Sequence, residues 1–248
     1  MNAISGGRTG PPPWRLGCIG LCLLTISTLA AADVSVRGRI GGTIGGDARP
    51  GMGIDLHVER TDLAVRYDDD SGGDRLEVGR IGISLFESPA PGIRLGVSIG
   101  RQGISQSGRA NTAGLDPSGY FIGFDALGRW GITRRLSLEL GGRVAYAEAS
   151  DSSAGDTVDL DWWSATLRPA ATVTLGGRVE LSAGLRAQWL DGDERFTGGT
   201  RATTDFREDR ITGGFVGIGL LTGNGGRVHL RADTGPARGL QLAFERRY

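Results

Sequence analysis

Lysine is absent from this chain, and its two cysteines, Cys18 and Cys22, lie only four positions apart near the N-terminus. All 28 basic residues are therefore arginines, and 28 aspartates and glutamates balance them to a formal net charge of +0 at pH 7. This balance gives no sign of a nucleic-acid partner. Hydrophobic residues make up only 39% of the chain, and no apolar run in 33–248 approaches the roughly 20 residues of a membrane-spanning helix. Together these absences disfavour a helical membrane protein.

The N-terminal segment has the order of regions that a secretory signal peptide needs. Arg8 and Arg15 give it a positive start, 16–29 is largely apolar, and three alanines follow. We predict that residues 1–32 are a cleaved signal peptide, with an uncleaved anchor as the alternative. Residues 33–248 contain no cysteine, which excludes a disulfide framework and a thiolate metal site there.

Glycine and alternating hydrophobicity are what the chain has in abundance. Its 44 glycines are about 18% of the 248 residues, which is more than twice the usual share of about 7%. Apolar and polar residues alternate in many segments, as they do in strands with one greasy face. Twelve such strands are predicted, over residues 33–45, 52–59, 62–68, 75–86, 93–99, 120–130, 136–146, 163–173, 179–189, 216–220, 228–232 and 240–248.

Two irregularities bear on the strand count. The apolar positions change from even to odd numbers between 52–59 and 62–68, which predicts a tight hairpin at residues 60–61. Leu76 and Val78 are out of phase with the rest of their segment, which predicts a β-bulge. Long polar loops, such as 191–208, alternate with short turns, as in barrels whose two chain ends lie on one side. Twelve strands is the prediction and ten is the fallback.

The last strand carries a resemblance to a known class of proteins. Leu240, Leu242, Phe244 and Tyr248 share one face of it and end the chain on an aromatic residue. This resembles the closing strand of bacterial outer-membrane β-barrels, which the assembly machinery reads as its signal. An ordinary amphipathic strand is the alternative at this point.

The resemblance implies an all-β fold, with residues 33–248 forming a single closed antiparallel transmembrane β-barrel after a cleaved signal peptide. It implies the outer membrane of a Gram-negative bacterium as the location. The implied partners are membrane lipid, lipopolysaccharide and the barrel-assembly machinery, and the implied state is a monomer. A secreted β-sandwich is the alternative fold. Aromatic residues near strand ends fit an interfacial girdle: Trp130, Tyr146, Trp162, Trp163, Trp189, Phe244 and Tyr248.

Assigning the polar strand faces to the interior predicts a charged lumen. Its arginines would be Arg37, Arg39, Arg66, Arg80, Arg94, Arg129, Arg143, Arg168, Arg178, Arg186, Arg227, Arg231 and Arg247. Its acids would be Asp55, Glu59, Asp62, Asp125, Glu139, Glu180, Asp233 and Glu245, with His57 beside them. The arginine excess predicts a narrow channel for small, preferably anionic solutes. The length and the arginine lining resemble those of small monomeric porins for acidic sugars. A plugged structural barrel is the alternative, because the same charges can pair across the lumen.

A hydrolase is the second alternative, because Asp55 and His57 lie two residues apart on one strand face and resemble the Asp–His pair of omptin proteases. Outer-membrane lipases resemble each other in placing Ser two residues after His, whereas Glu59 stands there in this chain. We therefore predict no enzyme activity and no catalytic residues. No cofactor and no metal site are predicted, since the acidic segment 68–74 lacks the ligand spacing of an EF-hand.

Overall fold

The computed structural model describes residues 51–68, 73–106, 115–153, 155–198, 201–209, 211–223, 225–235 and 237–248. All of them belong to the compact unit Gly42–Tyr248, whereas the other unit, Met1–Gly41, lies outside the described residues. The predicted signal peptide and the predicted strand 33–45, with Arg37 and Arg39, also lie outside them. Within the described ranges, no helix is long and apolar enough to cross a membrane.

The described chain forms eleven β-strands in one antiparallel sheet. They are β1 Gly51–Tyr67, β2 Gly73–Ala90, β3 Ile93–Gln106, β4 Ser118–Gly131, β5 Leu136–Ser153, β6 Asp156–Leu175, β7 Val179–Thr197, β8 Arg201–Glu208, β9 Thr212–Thr222, β10 Gly226–Thr234 and β11 Ala237–Arg247.

Ten of these strands close into a ring. β1 to β7 pair in chain order, followed by β9, β10 and β11, and β11 pairs back with β1 from Gly53↔Arg247 to Leu63↔Ala237. Both edges of β1 are thus occupied, because β2 lies on its other side. The predicted closed antiparallel barrel is confirmed with ten strands, the fallback number, and the count of twelve is wrong for the described ring.

The eighth strand makes one end of the barrel narrower than the other, because it joins β7 to β1 there without β9, β10 and β11 between them. β7 pairs with β9 along Val179–Ala187 and with β8 along Asp191–Thr197. β8 also pairs with β1 at Val65–Tyr67, beyond the point where the β10–β11 hairpin turns back. The prediction of a loop over 191–208 is therefore wrong, because most of this segment extends the sheet. We term this end the outer end, since it also has the longest connection, 107–117, and longer loops face outward in outer-membrane barrels. The opposite end, where β1 starts and β11 stops, is the inner end.

The predicted hairpin at residues 60–61 is also wrong, because β1 is one continuous strand. Its odd-numbered side chains face the interior along its whole length, from His57 to Tyr67. What changes is the surroundings: the interior is polar in the inner half of the barrel and apolar in the outer half. The apolar residues therefore move from the outward face, as at Leu56, to the inward face, as at Val65.

The same exchange explains the second irregularity. Leu76 and Val78 are 0% and 2% exposed and share the inward face of β2 with Arg80. The register between β1 and β2 runs without a shift through these positions, so the predicted bulge there is wrong.

Short turns connect the strands at the inner end, and glycine makes the tightest of them possible. Gly176 and Gly177 have φ values of 56° and 68°, the left-handed region that a two-residue hairpin turn needs at both central positions. The Arg178 N–H donates to the carbonyl of Leu175 at 3.1 Å across this turn. Predicted as a lumen residue, Arg178 instead lies in the exposed turn.

Candidate functional site: the barrel interior

A cavity of about 160 Å³ lies in the inner half of the barrel. Its lining is mostly polar or charged and comes from all ten strands of the ring, including Arg94 on β3, Glu139 on β5 and Arg227 on β10. These side chains face inward because each occupies the interior position of the two-residue alternation of its strand.

Ion pairs tie charged residues of the inner end together. Arg129 lies 3.3 Å from Glu139 and 2.6 Å from Glu180, and Arg227 approaches the second oxygen of Glu180 at 2.8 Å. Glu180 is 3% exposed, so two guanidinium groups compensate one buried carboxylate. This network links four strands, β4, β5, β7 and β10, across the lumen.

A second carboxylate with two arginines lies beside it. Glu245 on β11 is 8% exposed and accepts from Arg94 Nη1 at 2.8 Å and from Arg247 Nε at 2.7 Å. Because Arg94 also lies over the ring of Phe86, 4.9 Å from its centroid, its position is fixed from two sides.

A layer of arginines forms the boundary between the inner cavity and the outer end. We term Arg80, Arg143, Arg168, Arg186 and Arg231 the arginine layer. Glu59 is 8% exposed, and its carboxylate lies close enough to four of these guanidinium groups to attract them. Arg168 is the exception. Asp233 holds two of them, Arg231 at 3.1 Å and Arg186 at 3.6 Å.

Aromatic and glycine residues shape the space on the outer side of the arginine layer. The guanidinium of Arg80 lies 5.2 Å from the ring centre of Phe121 and 5.9 Å from that of Trp162. Phe121 occupies its place because glycine stands opposite it on two neighbouring strands: a Cβ at Gly82 or Gly100 would lie only 2.7 Å from the ring. The glycine content is thus used in part to admit large side chains into the lumen.

An apolar core fills the outer end of the barrel. Tyr67, Phe121, Trp162 and Phe206 are all 3% exposed or less. Trp162 and Phe206 meet edge to face with ring centres 6.3 Å apart. We term the whole set the outer core: Leu63, Val65, Tyr67, Leu76, Val78, Ile104, Leu115, Phe121, Ala147, Ala149, Val158, Leu160, Trp162, Leu190, Phe196, Phe206 and Ala237. The prediction that Trp162 belongs to the interfacial girdle is therefore wrong.

The structure places most of the predicted lumen residues inside. Within the described ranges the inward-facing ones are Asp55, His57, Glu59, Arg80, Arg94, Asp125, Arg129, Glu139, Arg143, Arg168, Glu180, Arg186, Arg227, Arg231, Asp233, Glu245 and Arg247. Arg66 and Asp62 do not belong to the lumen. Both lie on the outward face of β1, and the exposed Arg66 pairs with Asp209 at 2.6 Å. They were misplaced because the change of apolar phase was interpreted as a hairpin.

His57 is not placed like a catalytic base. His57 is 4% exposed, its Nδ1 lies 3.3 Å from Asp55, and its ring packs 6.0 Å from that of Phe121. Its Nε2 has no hydrogen-bond partner among the described residues, so no nucleophile is bonded to it there. His229 lines the inner cavity. No group of three or more His, Cys, Asp or Glu side chains in the described part of the chain is arranged to hold a metal ion.

The outer surface of the ring is unusual for a protein in water. Large apolar side chains are exposed on every strand of the ring, such as Leu185 at 67%, Ile81 at 61% and Val216 at 59%. Such a belt is an outward-facing apolar band, and aromatic residues flank it on both sides. Tyr120, Trp163 and Trp189 lie toward the outer end, and Trp130, Phe244 and Tyr248 toward the inner end.

The described chain is a transmembrane β-barrel. A closed ring leaves no unpaired strand edge in lipid, and the exposed apolar band is the surface that faces the hydrocarbon. The barrel presents Leu240, Leu242 and Phe244 to that surface from its closing strand, and Tyr248 follows at the inner edge, 74% exposed.

Solved structures similar to this barrel are outer-membrane proteins. The translocator domain of the autotransporter NalP from Neisseria meningitidis is 11% identical, with a TM-score of 0.47 and coverage of 94% of this chain and 98% of that one. Neisserial surface protein A is 14% identical, with a TM-score of 0.43 and coverage of 80% and 97%. An outer-membrane channel from Pseudomonas putida F1 is 13% identical, with a TM-score of 0.44 and coverage of 82% and 98%.

Neither a protein-family model nor a curated protein matches the sequence. The similarities to solved structures are weak, and the assignment of the barrel rests on its own closed ring and apolar belt.

Proposed function

We propose that this protein is a closed outer-membrane barrel that does not conduct solutes in the arrangement described. The observation that carries this proposal is the outer core, where aromatic and aliphatic side chains pack across the narrower end of the lumen. Apolar, close-packed interiors hold no continuous water, and a solute would have to displace several buried side chains to pass.

The ion pairs of the lumen support the same proposal. Arg129, Arg227 and Arg94 each bind a carboxylate on a strand that is not their neighbour, so they tie separate strands of the barrel together. Charges that satisfy one another in this way hold a barrel together and offer fewer free sites to a passing ion.

A narrow channel that prefers anions is the second candidate function. It rests on the excess of arginine over acid inside the barrel, and it requires the outer core to open. The similar structure from Pseudomonas putida F1 is described as a channel. Enzyme activity is not part of the proposal, because His57 is buried beneath Phe121.

Planar-bilayer conductance under a salt gradient tests both candidates. We expect no steady conductance from the unmodified barrel. The double variant Trp162→Gly/Phe206→Gly removes an aromatic contact of the outer core and should allow measurable ion flux, with a reversal potential on the anion side. Trp163→Gly is the matched control, because the neighbouring ring faces outward at 49% exposure and its loss should open nothing.

Steady conductance of the unmodified barrel would contradict the closed state and favour the channel. A reversal potential on the cation side would contradict the anion preference.

A further inference from the structure

Arg168 has a different environment from the other arginines of the lumen. Its side chain is half-buried on the inward face of β6 and lines the inner cavity. Within the described ranges it forms no ion pair, and the carboxylate that attracts it is that of Asp233, which already binds Arg231 and Arg186.

The neighbours of Arg168 are also positive. Arg231, Arg186 and Arg143 all lie near enough to repel it. Since like charges gathered in a partly desolvated space repel strongly, such a cluster is stabilised by an anion among them.

Several donors of this cluster make no hydrogen bond among the described residues. Arg143 gives Nη2 to Ser98 at 2.7 Å, whereas its buried Nε lies 3.5 Å from Asp125 in an ion pair that lacks hydrogen-bond geometry. The same holds for the buried Nε and Nη1 of Arg186, although Asp233 is near. A buried donor without an acceptor costs free energy that a bound oxyanion would restore.

The cavity offers room for such a ligand. Arg143, Arg168 and Arg231 share it with His229, and its volume of about 160 Å³ is well above the roughly 10–15 Å³ that a single water molecule requires. It extends to Arg94 and Glu139 near the inner end, so a ligand would approach from that side.

We propose that Arg168, Arg143 and Arg231 form a binding site for a small tetrahedral oxyanion, a phosphate group, in the inner cavity. Guanidinium groups suit this ligand, because each presents parallel N–H donors to two oxygens at once. This inference goes beyond the proposed function and does not depend on it, since a site at the closed end of a cavity can bind without transport. The phosphate belongs either to the free ion or to a larger phosphomonoester.

Calorimetric titration of the full protein, folded in nonionic detergent and chloride-free buffer, tests the site. Inorganic phosphate and glycerol 3-phosphate are the two probes. We expect saturable binding of at least one of them, weakened about tenfold or more by Arg168→Gln, since a hydrogen bond to a charged group is lost. Because Arg168 has no ion pair among the described residues, this change should leave the fold intact, which the mobility of the unheated barrel in gels reports.

Arg101→Gln is the matched control, because it removes one positive charge from the outward face of β3. It should leave the affinity unchanged. Binding of the free ion identifies inorganic phosphate as sufficient, whereas binding of glycerol 3-phosphate alone assigns the site to a phosphomonoester. Absence of saturable binding by both probes would overturn the proposal, and so would equal weakening by Arg101→Gln and Arg168→Gln.

Discussion

Trp162 and Trp163 are neighbours in the sequence and lie in opposite surroundings. Trp162 is 1% exposed in the outer core, whereas Trp163 is 49% exposed in the girdle and meets Tyr146 at 5.2 Å between ring centres. Residue type alone does not predict these two positions, because an aromatic side chain is stable both in a core and at a membrane surface. Its place follows from the parity of β6, which only the register defines.

Leu185 and Arg186 form a similar pair on β7 and yield a prediction. Leu185 faces lipid between the two aromatic girdles, so Leu185→Arg should lower the free energy of unfolding by about 2–4 kcal/mol, the cost of a charge near the bilayer midplane. Denaturant titration of the barrel in lipid vesicles, followed by tryptophan fluorescence, measures this. Leu185→Ala is the control, and its effect should be smaller because it brings no charge into lipid. Equal losses from the two variants would show that Leu185 does not face hydrocarbon.

At the scale of the strand, β1 shows why the sequence predicted most strands correctly and their number incorrectly. Alternation identified the lipid-facing part of each strand, as at Leu56 and Val58, because there one face alone is apolar. In the outer half the pattern is inverted, since water lies outside and the outer core inside. A rule that expects a single phase per strand divides β1 in two at this point and takes the outer part of β7 for a loop.

Cysteine labelling distinguishes one continuous β1 from a hairpin. The described residues contain no cysteine, and Cys18 and Cys22 lie in the predicted signal peptide, so single cysteines can be introduced into the processed chain without background. We expect Arg66→Cys to react rapidly with a membrane-impermeant maleimide, because this outward position lies in water. Leu56→Cys should stay unlabelled in vesicles, because it lies on the same face but in lipid.

Val65→Cys is the control for the inward face and should also stay unlabelled, since Val65 is 1% exposed in the outer core. Labelling of Val65→Cys together with protection of Arg66→Cys would contradict the continuous strand and restore the hairpin.

For the whole molecule, ring closure was predictable and the state of the lumen was not. The amphipathic closing strand and the turn pattern indicated a closed barrel, and β11 does pair with β1. Whether charges pair inside the lumen depends on which strands bring them within reach, as β3 and β11 do for Arg94 and Glu245. Strand order, taper and tilt decide which charges meet in the lumen, and none of them is a local property of the sequence.

The closing strand yields a prediction about assembly. Tyr248 donates its N–H to the carbonyl of Met52 at 3.0 Å, and its ring stacks with Arg246 at 5.4 Å, so it makes few contacts in the finished barrel. We propose that the assembly machinery reads it together with Phe244. Deleting Tyr248 should reduce the amount of folded barrel in outer-membrane fractions several-fold, whereas refolding of the purified variant in detergent should match that of the unmodified chain. A loss of detergent refolding of the same size would assign Tyr248 a structural role instead.

The exchange of apolar faces along β1 also marks the boundary between the membrane and the water outside it. In the strands that reach both halves of the barrel, the residue at which the apolar side turns inward marks how deep the barrel lies in the membrane. Because a strand rises about 3.4 Å per residue, moving that point by two residues on all of these strands would shift the protein along the membrane normal by about 5 Å once the strand tilt is included. The depth of insertion is thus a property that substitutions can tune without altering the ring.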